Sequence, residues 1–395
     1  HPPLIPSPPT QRLQMVKRAV MVGCNYPGSS AELKGCINDV KNMRDLLINK
    51  FGFNPSDIKV LLDTESRTTK PTGRNIKSAL QGMVKQSQPG DVAFFHFSGH
   101  GTQVPARADS NEADGKDEAI VPTDLNIIID DDLQLIFKPL PKDCKLTVIC
   151  DCCHSGTMLD HAEVVIHGQK DLPPGFIPTQ SRDFVMPVPS KARDLPVEML
   201  MQMLAANSGH QVDAGNLGQT LFSMFGNNSS LFAVQGQAML QQLQPGGLLH
   251  NLVPQEFRPL IGPVVDLLGK VVKFLPMIMM HAAPFLPSPQ AKPKPPKVDG
   301  ATLFQGKPPA VGDDIGILIT GCQSHETSAD AHPPYGEPHG ALTNAILDVC
   351  SKSGPDVTYR QLVTGVRSSL KSGGFTQNPC LECGEHLANT RFIDH

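Results

Sequence analysis

Leu146-Thr147-Val148-Ile149-Cys150-Asp151-Cys152-Cys153-His154-Ser155-Gly156-Thr157-Met158-Leu159-Asp160 is the stretch whose reading decides the fold. Its first part is a short β-branched run with no breaker, the character of a buried strand. It then empties into Asp, two Cys, His, Ser and Gly, the composition of a loop at a strand end. In open α/β sheets, ligands and nucleophiles gather outside the carboxyl ends of strands. Upstream, Asp91-Val92-Ala93-Phe94-Phe95-His96-Phe97 is also strand-like and ends in Ser98-Gly99-His100-Gly101-Thr102. Two parallel strands that bring a Cys loop and a His loop to one sheet edge would make a thiol–imidazole pair. A thiol at its free pKa is mostly protonated at neutral pH, so it needs such a base or a nearby positive charge.

Outward from these strands the pattern repeats. Arg18-Ala19-Val20-Met21-Val22-Gly23 reads as a strand ending at Cys24-Asn25-Tyr26-Pro27-Gly28. Residues 38–51 follow as a helix, with Val40, Met43, Leu46 and Leu47 on one face. Ile58 to Leu62 is a second strand, and 72–86 a second helix. Short apolar strands alternating with amphipathic helices predict an α/β fold, with a mostly parallel central sheet flanked by helices on both faces. Beyond Asp160 the character changes. Residues 161–193 are Pro-rich and loop-like, 195–204 helical, 215–247 mixed, 260–286 strongly apolar, and 287–296 a Pro/Lys linker. Order returns near Asp314 with a strand through Thr320, then Gly321-Cys322-Gln323-Ser324 and helices at about 340–351 and 357–370. The sheet is thus interrupted by an insertion of roughly 140 residues, far longer than an ordinary loop.

A chain of 395 residues with 39% hydrophobic content can bury a sizeable core. Its net charge of -4 gives no reason to expect nucleic acid as a partner. Ten cysteines lack the regular spacing of a disulfide scaffold and no signal-peptide pattern is visible, so a reducing, cytoplasmic setting is expected. No apolar run reaches the roughly 18 residues of a membrane span. In 260–286, Val264, Leu267, Leu268, Val271 and Val272 share one helical face beside Lys270 and Lys273. Packing on the core is the preferred reading of that face, and peripheral membrane contact is the alternative. Cys380-Leu381-Glu382-Cys383 has no matching second pair, so core packing is preferred over zinc or redox chemistry.

His96-Phe97-Ser98-Gly99-His100-Gly101-Thr102-Gln103 and Asp151-Cys152-Cys153-His154-Ser155-Gly156 resemble the histidine and cysteine motifs of the metacaspases, caspase-like cysteine peptidases. Gly23-Cys24-Asn25-Tyr26 and Gly35-Cys36-Ile37-Asn38-Asp39 also fit. Arg193-Asp194-Leu195-Pro196 and Thr220-Leu221-Phe222-Ser223-Met224-Phe225-Gly226 resemble the long linker of the type II subgroup. Gly321-Cys322-Gln323-Ser324 with Thr327-Ser328-Ala329-Asp330 resembles its small catalytic region. The signature of true caspases around the cysteine is absent. The resemblance implies a caspase-like fold with a Pro-rich extension over 1–17 and a large catalytic region over 18–165. A linker over 166–312 and a small catalytic region over 313–395 complete it.

The resemblance implies Cys153 as nucleophile and His100 as general base, with the N–H groups of Gly101 and Cys153 holding the oxyanion. It places Asp39 and Asp151 in the primary pocket, where converging acids select a peptide or protein substrate with Arg or Lys before the cut. The chain between His100 and Cys153 is rich in carboxylates, which repel unless a hard cation joins them. Aligned with the family's calcium site, the ligands for Ca2+ are Asp117, Asp130, Asp131 and Asp160. Asp160 follows the nucleophile's own loop, so metal binding there could order that loop. Type II members resemble zymogens cut in their own linker. Lys170, Arg182, Lys191 and Arg193 lie in a stretch expected to be exposed, and Arg182 and Arg193 are the preferred sites. A departure is that Leu204-Ala205-Ala206-Asn207 carries no basic residue where the family commonly has one. A monomer is expected. Competing readings are a non-catalytic scaffold and a thiol oxidoreductase using Cys152 and Cys153, the latter strained because adjacent cysteines rarely bridge.

Overall fold

The computed structural model describes residues 15–105, 116–154, 159, 164–166, 188–243, 316–323, 326–354 and 356–393. Asp160, Arg182, Lys170 and the apolar stretch 260–286 lie outside the described residues.

The central sheet begins with β1 (Lys17–Gly23), β2 (Ile58–Leu62) and β3 (Val92–Ser98). A three-stranded side sheet follows, built from β4 (Gly101–Pro105), β5 (Lys116–Ile120) and β6 (Ile128–Ile129). The central sheet resumes with β7 (Lys145–Asp151) and β8 (Val164–Ile166). After β9 (Ser190–Ala192) come β10 (Ile317–Thr320), β11 (Ala329–Ala331), β12 (His339–Gly340) and β13 (Cys380–Glu382). The seven-stranded sheet has the order β2-β1-β3-β7-β10-β13-β8. Its first five strands run parallel, β13 pairs antiparallel with β10, and β8 pairs antiparallel with β13.

β3 and β7 read as near-continuous apolar runs because each is covered on both faces. Every residue of β3 is buried, as is every residue of β7 after Lys145. One face packs helices α1 (Cys36–Phe51), α7 (Ala341–Ser353) and α8 (Tyr359–Ser372) through Val40, Met43, Leu47, Ile346, Leu362 and Val366. The other face packs α2 (Gly73–Gln86) and α3 (Asp130–Phe137) through Ile76, Leu80, Leu133 and Phe137. Helix α2 starts where Thr72 accepts a hydrogen bond from the Asn75 N–H, so Thr72 is its cap rather than its first turn.

Among the described residues the linker contributes three helices, α4 (Val197–Ser208), α5 (Leu217–Phe225) and α6 (Leu231–Leu243). The stretch read as mixed is therefore largely helical. These helices bury Leu200, Leu204, Leu217, Leu221 and Leu231 in the same core as α2 and α3. Polar ties fix them as well. Lys77 Nζ donates to the Ser229 carbonyl (2.7 Å), Asn126 Nδ2 to the Asn228 carbonyl (2.8 Å), and the Leu231 N–H to Asp132 Oδ1 (3.0 Å). Among the described residues no helix is long and apolar enough to cross a membrane. Cys380 and Cys383 are both buried in the core, in keeping with a packing role.

Leu318 sits fully buried on β10, the strand that joins the part of the sheet after the insertion to β7. Leu318→Ala should cost about 2–5 kcal/mol, read as a lower urea midpoint with an unchanged slope. A change within experimental error would mean that β10 is not a core strand.

Candidate active site

Register decides where the two signature loops meet. Ser98 of β3 lies opposite Asp151 of β7. His100 and Cys153 each follow two residues later, so the parallel strands release both at the same sheet edge. The turn after His100 admits only glycine at position 101, because a Cβ there would stand 1.7 Å from the Cys153 carbonyl oxygen. That close approach ties the two loops together.

His100 is held from three sides. Its N–H donates to the Tyr26 hydroxyl (2.9 Å), which in turn donates to the Val121 carbonyl (2.6 Å). The Tyr26 and His100 rings lie with centroids 5.0 Å apart. His100 Nε2 lies 2.7 Å from the Ala31 carbonyl, which only accepts, so Nε2 carries the proton. Nδ1 is then the lone-pair nitrogen, and it is buried without a hydrogen-bond partner. Burial pushes the imidazole down to about 4, so it is neutral at pH 7, the state a base requires. Cys153 is buried, and its Sγ accepts the Ser328 N–H at 3.0 Å. No hydrogen bond joins Cys153 to His100. The backbone of Arg193 lies against this pair.

Arg193 corrects the expectation of an exposed cutting site. Its side chain is 0% exposed, and its guanidinium is enclosed by three carboxylates. Nη2 reaches Asp39 Oδ2 (2.8 Å) and Asp330 Oδ1 (2.9 Å), and Nη1 lies 3.3 Å from Asp151 Oδ1. Nη1 also donates to Ser98 Oγ (2.8 Å) and to the Asp151 carbonyl (3.0 Å). Solvent exposure would have been the default for a basic residue in a Pro-rich stretch. Three converging acids override it.

The same residue's backbone occupies a second set of donors. The N–H groups of Gly101 (3.0 Å) and Cys153 (3.3 Å) both donate to the Arg193 carbonyl oxygen, and the Arg193 N–H donates to the Ser328 carbonyl (2.9 Å). Upstream, β9 adds as an antiparallel strand to β11, pairing Ala192 with Ala329 and Lys191 with Asp330. Downstream, the Leu195 N–H donates to the Gly101 carbonyl (2.9 Å). Strand addition of this kind is how extended peptides are commonly held by a sheet edge.

The pocket carboxylates are fixed by further donors. Asp39, in the first turn of α1, accepts from Ser98 Oγ (2.7 Å) and the Gly340 N–H (2.8 Å). Asp151 accepts from Ser328 Oγ (2.9 Å), the Thr343 N–H (2.8 Å) and Thr343 Oγ1 (2.7 Å). Asp330 accepts the N–H groups of Lys34 (2.9 Å) and Gly35 (3.0 Å). Burial raises the Asp39 carboxyl, opposed by the charge of Arg193. At Asp330 burial acts in the same direction, but Arg193 and the Lys34 N–H outweigh it and hold the group below its ordinary value. Gly340 floors the pocket, since a Cβ there would stand 2.2 Å from Asp151 Oδ2. The sequence pointed to Asp39 and Asp151, but Asp330, Ser98 and Gly340 were missed as pocket residues. The available signal was the polar run Thr327-Ser328-Ala329-Asp330 beside a strand.

Of the four aspartates aligned with a calcium site, three are described. β5 pairs with β6 as Ala119 to Ile129 and Ile120 to Ile128, and β6 runs straight into α3, whose first two residues are Asp130 and Asp131. Asp117 and Asp130 are nearly buried, at 4% and 3% exposure. Oxygen donors of this type suit a hard divalent cation. Among the described residues no three such side chains converge as a metal-binding group, and the fourth partner, Asp160, lies outside them. Asp132 serves differently: burial pushes its carboxyl up to about 6 while it accepts from the Ile129 and Leu231 N–H groups.

His96, inside β3, belongs to the pocket's support. Its Nε2 lies 3.2 Å from Thr343 Oγ1, whose own proton goes to Asp151. Burial pushes this imidazole down to about 4. An unfolded histidine titrates near about 6.5, so the unfolded chain takes up a proton there before the folded one does. Stability from His96 is therefore complete above about pH 6.5 and falls by about 1.4 kcal/mol per pH unit down to about 4. The urea midpoints of wild type and His96→Gln should converge between pH 7 and pH 5. A constant difference would contradict the neutral buried imidazole.

A family model described as the metacaspase, peptidase C14 domain, matches residues 17–162. Metacaspase-6 of Arabidopsis thaliana is 38% identical over 387 residues, covering 96% of this chain and 100% of the relative. Metacaspase-4 and metacaspase-9 of the same plant are each 33% identical, over 96% of this chain and 100% and 98% of their own lengths. A parallel sheet that sets a cysteine and a histidine loop side by side, with relatives matched along nearly their whole length, places this chain in the metacaspase family of caspase-like cysteine peptidases.

Proposed function

We propose that the chain is an endopeptidase that cuts after Arg or Lys and is made as a zymogen blocked by its own Arg193. One observation carries this reading. Arg193 fills a three-carboxylate pocket while its carbonyl oxygen accepts from the N–H groups of Gly101 and Cys153. A side chain and a carbonyl held together in this way mark the residue before a scissile bond, and the bond in question is Arg193–Asp194.

In this mechanism the Cys153 sulfur attacks the carbonyl carbon, and the negative charge that develops on oxygen is met by the two N–H donors. His100 takes the thiol proton through Nδ1 and returns it to the departing amine, leaving an acyl-enzyme. Water then attacks the thioester, with the imidazole again as base. The pocket's specificity is for a cation, because Asp39, Asp151 and Asp330 without one would repel each other in a buried space. An acidic residue before the cut would be excluded. Arg182, outside the described residues, stands as a second candidate cutting site.

Activation is proposed to depend on Ca2+ held by Asp117, Asp130, Asp131 and Asp160. The ion would neutralise their mutual repulsion. β4, in the side sheet, starts at Gly101, one of the two carbonyl donors, so that sheet adjoins the catalytic groups.

With calcium, the intact chain should yield a fragment whose N-terminus is Asp194, identified by terminal sequencing. Arg193→Gln should remove that fragment, Arg193→Lys should keep it, and Cys153→Ala should abolish all cutting. A chelator should slow cutting at least tenfold. Fragments starting elsewhere, with none at Asp194, would overturn the self-cutting site, and equal rates with and without chelator would overturn the calcium requirement.

A further inference from the structure

The side chain immediately after the nucleophile is unused by the mechanism above. His154 stands at φ 51, the left-handed region in which an L residue other than glycine is uncommon. That backbone turn takes its side chain out of the alternation of β7. The imidazole is directed at the chain that follows Arg193, where His154 Nε2 lies 3.1 Å from Asp194 Oδ1. A carboxylate only accepts, so Nε2 carries the proton in this contact. Both side chains are half-buried, at 18% and 27% exposure. His154 Nδ1 is buried without a hydrogen-bond partner, so no fixed acceptor pins the ring from behind.

The backbone around the contact is equally specific. Asp194 forms a parallel bridge with Gly101, and the Leu195 N–H donates to the Gly101 carbonyl. The same glycine whose N–H holds the Arg193 carbonyl therefore also holds the chain on the leaving-group side. This leaves the side chain of the residue after the cut facing His154.

We infer that His154 forms the subsite for the residue after the scissile bond and that it selects a carboxylate there. This rests on the proposed cut after Arg193. The chemistry is one N–H donor, carrying positive charge when the ring is protonated, facing an acceptor that is negative. Aspartate or glutamate satisfies it, alanine forfeits the bond, and lysine opposes it. A half-buried contact of this kind, screened on one side by water, is worth a several-fold preference rather than an absolute one. Because the contact is made both before and during the reaction, it acts on kcat/KM. The subsite would also make the enzyme's own linker a favoured substrate, since Arg193 is followed by Asp194.

The test uses the self-processed full chain and four internally quenched peptides, Ser-Lys-Ala-Arg-Xaa-Leu-Pro, with Xaa as Asp, Asn, Ala or Lys. Wild type should cut the Asp peptide about three- to tenfold faster than the Ala peptide in kcat/KM, with Lys slowest. In His154→Gln the Asp-to-Ala ratio should fall to within about twofold, and His154→Arg should restore it. These are ratios within one enzyme, so a partial loss of folded protein cancels. Equal rates for Asp, Ala and Lys in wild type, or an unchanged ratio in His154→Gln, would overturn the subsite while leaving cutting after Arg intact. Failure to cut any of the four would overturn the Arg reading and the subsite with it.

Discussion

A fully buried guanidinium among three buried carboxylates is the constraint around which this molecule is arranged. None of the four groups is tolerable there alone. Burial works against the charge of Arg193, and the surrounding carboxylates outweigh it, so the guanidinium stays charged. Removing a charge from a buried ion cluster leaves the remainder uncompensated, which is why such clusters act as switches more readily than as glue. The acids come from three distant places: the first turn of α1, the end of β7, and β11 beyond the insertion. The pocket therefore exists only when both halves of the interrupted sheet have come together.

The insertion is not a bystander to that assembly. It sends β9 across β11 as an extra strand, delivers Arg193 to the pocket, and then returns to the core through α4, α5 and α6. Lys77, Asn126 and Asp132 fasten the helices to the opposite face from α1, α7 and α8. The chain on either side of Arg193 is thus anchored, upstream by strand pairing and downstream by an apolar seam beginning at Leu195. Two anchors of different physical kind hold one peptide bond across the Cys153 and His100 loops. Were that bond cut, as proposed, the anchors would separate without either being undone, and the helices would keep their own reasons to stay docked.

Much of this was legible in the residues. The apolar runs ending at Ser98 and Asp151 have the composition of doubly covered parallel strands, and their loops carry residue types suited to nucleophile and base. That the two strands are neighbours with Ser98 opposite Asp151 comes from the structure. Asp39 and Asp151 were accessible through motif resemblance, and the structure sets both against one guanidinium. Asp330 was not singled out, because a carboxylate on a short strand gives no periodic signal and its role depends on a contact 137 positions away in sequence. Arg193 was read as exposed for the same reason: proline-rich composition speaks for solvent, and only tertiary contacts reveal that three acids await it. The side sheet β4-β5-β6 was overlooked because its strands are short, and its edges are set by pairing rather than by hydrophobic pattern.

Occupancy of the pocket by Arg193 is tested most directly at the sulfur it covers. The rate at which iodoacetamide alkylates Cys153 can be followed by mass analysis in the uncut full-length chain, without calcium, for wild type and for Arg193→Ala. Loss of the guanidinium anchor should free the backbone lying over the thiol and raise that rate at least tenfold. Equal rates in the two chains would contradict the account, for they would mean that Arg193 does not hold the linker across the active cysteine.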